Sequence, residues 1–229
     1  MINEKLFKLY KSKLPSLQKF YSELDDKEIY DYAGPQLLYC WEKNYLSSFR
    51  KTLIIGQETN SWYNDYIRSD EDIRTFIDKY KSFELGIGYK KLFMQYAHRI
   101  NYLINNKDYL NFVYLNINKF GKEDEAGKPV QEVLDAENRF FNIFTDELQI
   151  LKPDVCIFMT GPNYDKDIRN KLDNVEFSIF EGYPLNEVSK VKSKYLPIKS
   201  YRLYHPGYGN RYKEWYNELI NKIVSDIIQ

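Results

Sequence analysis

The chain has little cysteine, little histidine and no long apolar run, and each shortage excludes a class of protein. It contains two cysteines, Cys40 and Cys156, and two histidines in 229 residues. Two isolated cysteines form neither a disulfide framework nor a multi-thiolate zinc or iron–sulfur site. No apolar run approaches the roughly 20 residues that span a bilayer, and the N-terminal segment has no signal-peptide core. We therefore expect a cytoplasmic protein without a membrane anchor or a metal cluster.

Net charge is also lacking, because 33 lysines and arginines balance 33 aspartates and glutamates. Overall attraction to nucleic acid is then weak, and any such binding needs a local basic patch. Aromatic residues are abundant instead, with 22 tyrosines and 14 phenylalanines. Tyrosine supplies stacking surfaces, although the same richness also fits codon bias. The length favours a single domain over residues 1–229.

Short apolar runs alternate with amphipathic segments along the chain. The apolar runs are typical of buried strands, predicted at 51–56, 112–116, 154–160, 175–180 and 200–204. Helical spacing is predicted at 4–22, with an interruption at Pro15, and at 36–48, 88–105, 130–151 and 211–228. This alternation predicts an α/β fold with three α/β/α layers around a short, mostly parallel sheet. Residues 1–49 are predicted as a helical extension of a core at 50–229.

Polar residues follow the predicted strands at their carboxyl ends, where open parallel sheets bind their ligands. Gln57 and Glu58 follow the first strand, Asn116 and Lys119 follow the second, and His205 follows the last. We therefore expect a carboxylate, a carboxamide and an imidazole to converge on one cavity from distant parts of the chain.

Each of these residues also has a structural interpretation. Glu58 can cap the helix that follows its strand, Asn116 can hold an Asx turn, and His205 can be a satisfied structural group. The turn Pro206-Gly207 favours a functional role for His205, because proline and glycine fix an irregular turn that places the imidazole. The basic run within 190–202 is either a DNA-binding patch or a solvated lysine face.

Taken in this order, the polar stretches resemble the motifs of the uracil-DNA glycosylase superfamily. The run 53–58 is similar to the first motif, a strand ending in Gly-Gln-Asp-Pro, with Glu58 in place of the catalytic aspartate. The run 112–116 is similar to the middle motif, a strand ending in asparagine. The run 151–161 is similar to the helix ending Leu-x-Pro before an apolar strand, and 204–208 corresponds to the last motif, His-Pro before a small residue. The resemblance covers roughly residues 50–225.

The resemblance implies a DNA repair hydrolase that excises a flipped base by cleaving its N-glycosidic bond, without metal or cofactor. Glu58 would stabilise the sugar cation or position water, and His205 would donate to the base oxygen. Thr59-Asn60 stands where the family has proline, and Glu58 is longer than aspartate, so the first motif departs most. The other residues that the resemblance places at the site are Gln57, Asn116, Trp62 and Tyr63 for base binding, and Tyr208, Arg211 and Lys119 for DNA binding.

A second hypothesis of a different class remains open. The chain would then be a non-catalytic module that binds nucleic acid or a nucleotide and keeps the fold without the reaction. Both hypotheses imply DNA or a nucleobase-containing ligand as the partner.

Overall fold

The computed structural model describes residues 1–60, 62–63, 65–106, 110–208 and 213–229. They form two compact units, each assembled from three segments of the chain. The helical unit comprises Met1–Cys40, Gln57–Phe83 and Asn116–Leu151, and the sheet unit comprises Trp41–Gly56, Glu84–Leu115 and Lys152–Gln229. The N-terminal helices, predicted as an extension, therefore share their unit with two segments from the middle of the chain.

The sheet unit is built on a six-stranded open sheet. Its strands are β1 (Thr52–Gly56), β2 (Phe112–Asn116), β3 (Val155–Phe158), β4 (Glu176–Ile179), β5 (Val188–Lys192) and β6 (Lys199–Leu203), in the spatial order β2-β1-β3-β6-β5-β4. β1, β3 and β6 are parallel, whereas β5 is antiparallel to both β6 and β4. The predicted α/β class with a mostly parallel sheet is confirmed.

Burial explains why β1, β2 and β3 could be predicted from the sequence. Every residue of β1, β2 and β3 is buried, which requires the continuous apolar runs that predicted them. β5 was predicted to be a connection because Lys190 and Lys192 interrupt its apolar residues. In the sheet, Val188 and Val191 are buried while Lys192 faces solvent, as an antiparallel strand near a sheet edge allows.

The α-helices of the described ranges contribute to both units. They are α1 (Ile2–Ser12), α2 (Leu14–Asp26), α3 (Glu42–Leu46), α4 (Asp70–Phe83), α5 (Leu92–Asn105), α6 (Gln131–Phe140), α7 (Phe144–Leu151), α8 (Asp165–Lys171) and α9 (Lys213–Ile228). In the helical unit α1 packs against α4 and α7, and α2 packs against α6; in the sheet unit α5 packs against α9. Within the described residues, no helix combines the length and the apolar character needed to cross a bilayer.

The predicted helix at 36–48 is wrong over its first half. Residues 36–41 are not helical, and α3 covers only the second half of the predicted span. The backbone N–H of Gln36 donates to the Lys119 carbonyl, and that of Leu38 donates to the Tyr10 hydroxyl. These long-range bonds take the place of intrahelical ones, so the segment is held extended inside the helical unit.

The predicted helix at 130–151 is two helices, α6 and α7, with a break at 141–143. Phe141, Ile143 and Phe144 are all buried. Residues two apart lie on nearly opposite faces of a helix, so one continuous helix would expose either Phe141 or Ile143. The break allows both to reach the core.

Candidate functional site

The ends of β3 and β6 meet in the sheet unit, as expected for neighbouring parallel strands. The Gly161 N–H, after β3, donates to the Leu203 carbonyl at the end of β6, at 2.9 Å. Gly161 has φ +75° and ψ 168°, a conformation that is essentially restricted to glycine. A Cβ at this position would lie 3.3 Å from the Tyr208 ring. Gly161 thus allows the turn that carries His205 and Tyr208 to approach β3 closely.

His205 is held in one orientation and one tautomer. Its ring stacks on Phe93 with centroids 5.5 Å apart and an angle of 22° between the planes. The Gly207 N–H donates to His205 Nδ1 at 3.1 Å, so in the neutral ring the proton is on Nε2. A Cβ at Gly207 would lie 3.0 Å from Nδ1 and Cε1, closer than a side chain tolerates without a shift.

Burial lowers the pKa of His205 to about 4, because a desolvated imidazolium is unfavourable. The imidazole is therefore neutral at pH 7, and its Nε2–H is a donor. No described residue accepts a hydrogen bond from Nε2. Within the described part of the chain, this donor is therefore open to a ligand.

His205 lines a cavity of about 640 Å³ in the sheet unit. The volume lies in the range of small-molecule sites, roughly 300–1,000 Å³. Its described lining comes from α5, from the turn after β6 and from the start of α9. The residues are Leu92, Gln95, Tyr96, His98, Arg99, Tyr102, His205, Pro206, Tyr208, Lys213, Tyr216 and Asn217.

Aromatic rings and polar groups share the walls of this cavity. The Tyr96 and Tyr216 rings are 4.4 Å apart, and the Tyr216 hydroxyl donates to the Tyr204 carbonyl at 2.8 Å. Burial raises the pKa of both Tyr96 and Tyr216, so both hydroxyls stay protonated. Asn217 Oδ1 is shielded from solvent and has no partner among the described residues. The cavity is therefore lined by aromatic rings and by polar side chains.

The segments after β1 and β2 run side by side in the helical unit. The Asn118 N–H donates to the Gln57 carbonyl at 3.0 Å, and Asn60 and Lys122 form a parallel bridge. The structure thus places Gln57, Glu58 and Asn116 in one unit. Glu58 is half-buried and Asn116 is 1% exposed.

Gln36 lies beside Asn116, although its sequence position predicted only a helix. It is fully buried, and its Oε1 accepts the backbone N–H of Asn116 at 2.8 Å. Its Nε2 has no partner among the described residues. The signal available in the sequence was a glutamine between Gly34-Pro35 and two leucines, which is an unusual place for a solvated side chain.

The predicted DNA contact of Lys119 is wrong, because the side chain is buried and a DNA phosphate cannot reach it. The side chain is 1% exposed, and Nζ lies 2.6 Å from Glu147 Oε2. The Tyr10 hydroxyl donates to the other Glu147 oxygen at 2.9 Å. The Glu137 carboxylate accepts the backbone N–H groups of Lys119 and Phe120. Lys119 is therefore part of a buried ionic cluster that fixes the chain after β2.

Trp62 and Tyr63 pack against α4 in the helical unit. The Trp62 ring contacts Phe83 edge-on with centroids 5.5 Å apart, and Tyr63 contacts Phe76 at 4.8 Å. Both are half-buried. Trp62 Nε1 is shielded without a partner among the described residues. Stacking of either ring on a base stays a prediction.

The basic run before His205 is engaged in ion pairs. Arg202 is 1% exposed and its Nε lies 2.9 Å from Asp165 Oδ1. The lysines of the run pair with carboxylates of the same unit: Lys190 and Lys199 with Asp226, Lys192 with Glu176, and Lys194 with Asp173. Arg202 is thus buried and structural, and a DNA contact by the exposed lysines of the run stays a prediction.

The structure therefore divides the predicted site residues into two groups. His205 and Tyr208 line the cavity of the sheet unit, and Gln57, Glu58 and Asn116 lie in the helical unit. Convergence of the two groups on one ligand stays a prediction. Arg211 lies outside the described residues. Within the described ranges, no group of three or more His, Cys, Asp or Glu side chains is arranged to hold a metal ion.

Comparison with known proteins adds no relative. No protein-family model matches the chain, and no curated protein is significantly similar to it in sequence.

Proposed function

We propose that the chain is a glycosylase with the three-layer layout of the uracil-DNA glycosylase superfamily, which hydrolyses the N-glycosidic bond of a flipped or damaged base in DNA. One observation carries the proposal. A neutral, oriented imidazole lines a ligand-sized cavity at the carboxyl end of a parallel strand, and its Nε2–H donor has no partner among the described residues.

The chemistry requires such a donor. When the glycosidic bond breaks, negative charge develops on the departing base, and an oriented donor in a poorly solvated site stabilises that charge. A neutral imidazole has one N–H, and here that donor is on Nε2. Gly207 fixes the tautomer that presents Nε2–H, so this donor is set before the substrate arrives.

The resemblance to the glycosylase motifs assigns the remaining roles. Glu58 would stabilise the cationic sugar or position the attacking water, and the Asn116 carboxamide would contact the Watson–Crick edge, since it donates and accepts at once. Gln36 lies beside Asn116 with an unmet amide donor and would support the same recognition. Tyr208 would contact the neighbouring bases.

A second candidate is a module that binds a nucleotide or nucleic acid without cleaving it. The chemistry of the cavity favours it, because none of the described lining residues is an aspartate or a glutamate. Without a carboxylate at the sugar, binding would proceed and hydrolysis would not.

Strand cleavage tests the enzyme. The protein is incubated with single- and double-stranded oligonucleotides that contain uracil, hypoxanthine or a mismatch, and abasic sites are then cleaved with alkali. We expect breaks that fall about 10²–10³-fold in His205→Ala, as for loss of an oxyanion donor, and that are also lost in Glu58→Gln. The control is Glu132→Gln, an exposed carboxylate on α6.

Binding without breaks would favour the non-catalytic module. Breaks that persist in both His205→Ala and Glu58→Gln would contradict the assigned roles. A protein that neither binds nor cleaves any of the oligonucleotides would rule out both candidates.

A further inference from the structure

The cavity beside His205 carries positive charge that nothing in its described lining balances. Its charged lining residues are Arg99 and Lys213, both exposed, and neither forms an ion pair within the described residues. Glu214 is adjacent to Lys213 and acts on the Tyr96 hydroxyl electrostatically, but it does not line the cavity. The cavity is therefore suited to an anion.

The two cations come from different walls. Leu92, Gln95, Arg99 and Tyr102 follow one another at intervals of three or four residues, which places them on one face of α5. Lys213 belongs to the first turn of α9, and Asn217 follows one turn later. An anion between α5 and α9 would thus be contacted from both sides.

Several other cations of the sheet unit do form ion pairs within the described residues. Arg202 binds Asp165, and Lys190 and Lys199 share Asp226. Arginine and lysine left without a carboxylate in a concave site are the side chains that proteins use for phosphate. The lack of pairing at Arg99 and Lys213 thus falls at a place where a ligand can enter.

The other residues that line the cavity indicate which further groups the ligand contains. Tyr102 and Tyr208 offer ring faces to a planar group. His205 Nε2–H offers a donor to a ligand oxygen. A planar ring with a carbonyl, joined to an anion, matches these aromatic, polar and cationic groups.

We propose that the cavity between α5 and α9 binds a nucleoside phosphate, with Arg99 and Lys213 holding the phosphate and His205 donating to a carbonyl of the base. This inference rests on the proposed function for the identity of the ring and adds the phosphate ester to it. The phosphate belongs either to a free mononucleotide or to a DNA strand, and the two sources share the same chemistry.

Calorimetric titration tests the inference on the full chain. The ligands are the deoxynucleosides of adenine, cytosine, guanine, thymine and uracil, their 5′-monophosphates, and single-stranded pentanucleotides without terminal phosphates. Release of free base is followed separately by chromatography. We expect at least one base for which a phosphate-bearing ligand, monophosphate or pentanucleotide, binds at least tenfold more tightly than the nucleoside.

Charge-removing variants locate the phosphate. Arg99→Gln and Lys213→Gln should each abolish the advantage of the phosphate ester, and because both side chains are exposed the fold should not change. Lys222→Gln is the matched control, since this lysine lies on α9 beyond the cavity and pairs with Glu218. Glu214→Gln should keep or strengthen binding, because it removes a nearby negative charge.

The outcomes separate the two proposals. Tight monophosphate binding identifies a free nucleotide as the source, and tight binding of pentanucleotides alone identifies a strand; both support the inference if Arg99→Gln removes the effect. Equal binding of nucleosides and phosphate esters, binding that Arg99→Gln and Lys213→Gln leave intact, or no binding at all would overturn it. Binding without base release would leave this inference standing while hydrolysis fails.

Discussion

The ionic cluster of the helical unit and the cavity of the sheet unit both place basic side chains near the ends of β-strands, with opposite results. Lys119 is buried against Glu147, and Tyr10 completes the carboxylate's hydrogen bonds. Arg99 and Lys213 remain exposed and unpaired within the described residues. Residue type alone therefore does not tell whether a cation beside a strand end is buried in an ion pair or left open.

The largest effect is expected from a substitution that breaks the buried ionic cluster of Lys119 and Glu147. Lys119→Met leaves the Glu147 carboxylate buried without its cation, so the free energy of unfolding should fall by about 3–5 kcal/mol. Urea denaturation followed by circular dichroism measures it. The double variant Lys119→Met/Glu147→Leu should recover most of the loss, and Arg99→Met in the cavity should change stability little. A loss below about 1 kcal/mol in Lys119→Met would contradict the structural role.

The next effect concerns protonation at the open cavity. The folded-state pKa of His205, about 4, lies below the ordinary value of 6.5, so the unfolded chain binds the proton first as pH falls. The stability that this histidine contributes is complete above pH 6.5 and is lost as pH falls toward 4, by up to about 3 kcal/mol.

Two measurements check this protonation. Imidazole NMR should show a titration near pH 4 and a proton on Nε2 at neutral pH. His205→Asn should have a flatter dependence of unfolding free energy on pH between 4 and 6.5 than the wild type. A His205 signal that titrates near pH 6.5 would disprove the buried neutral donor.

A smaller loss of stability is expected from alanine substitutions at two glycines, which distinguish backbone strain from contact with the turn that carries His205. Gly161 and Gly182 both have positive φ. An alanine methyl at Gly161 would lie within 4 Å of other atoms, including the Tyr208 ring, whereas a methyl at Gly182 would have no described neighbour within that distance. Gly161→Ala should cost about 1–3 kcal/mol and shift the NMR signals of His205 and Tyr208. Gly182→Ala should cost about 1–2 kcal/mol and leave those signals unchanged. Identical spectra for the two variants would show that Gly161 does not position the turn.

The smallest effect concerns the basic run. Lys192 and Glu176 form an ion pair in which both side chains are more than 70% exposed, and such pairs contribute about 0–1 kcal/mol. Lys192→Ala should therefore change neither stability nor oligonucleotide binding measurably. A clear loss of DNA affinity would restore the run as a nucleic-acid contact.

The sequence could predict buried strands, but it could not predict the partners of the polar residues. β1, β2 and β3 were evident because strands buried on both faces must be apolar throughout. The parallel sheet is also the reason for expecting polar residues to converge at the carboxyl ends of the strands, and for the two groups of site residues this stays a prediction. The partners of those residues could not be predicted, since Lys119 meets Glu147 and Asn116 meets Gln36 only after distant segments come together.

The cavity cations escaped prediction for a different reason. Arg99 and Lys213 lie on amphipathic helices, where an exposed cation looks the same whether it faces solvent or a ligand. His205 was identified because proline and glycine beside it mark an irregular turn. The imidazole's tautomer depends on the Gly207 N–H, and its low pKa depends on burial, so neither could be read from residue type.

The alternation of the chain between its two units has a consequence for how the protein is made. The chain passes from one unit to the other after residues 40, 56, 83, 115 and 151. Neither unit is one continuous stretch of polypeptide, so no single truncation isolates either of them. Many contacts join residues far apart along the chain, which slows folding, and the last 78 residues must leave the ribosome before the sheet unit can close around its cavity.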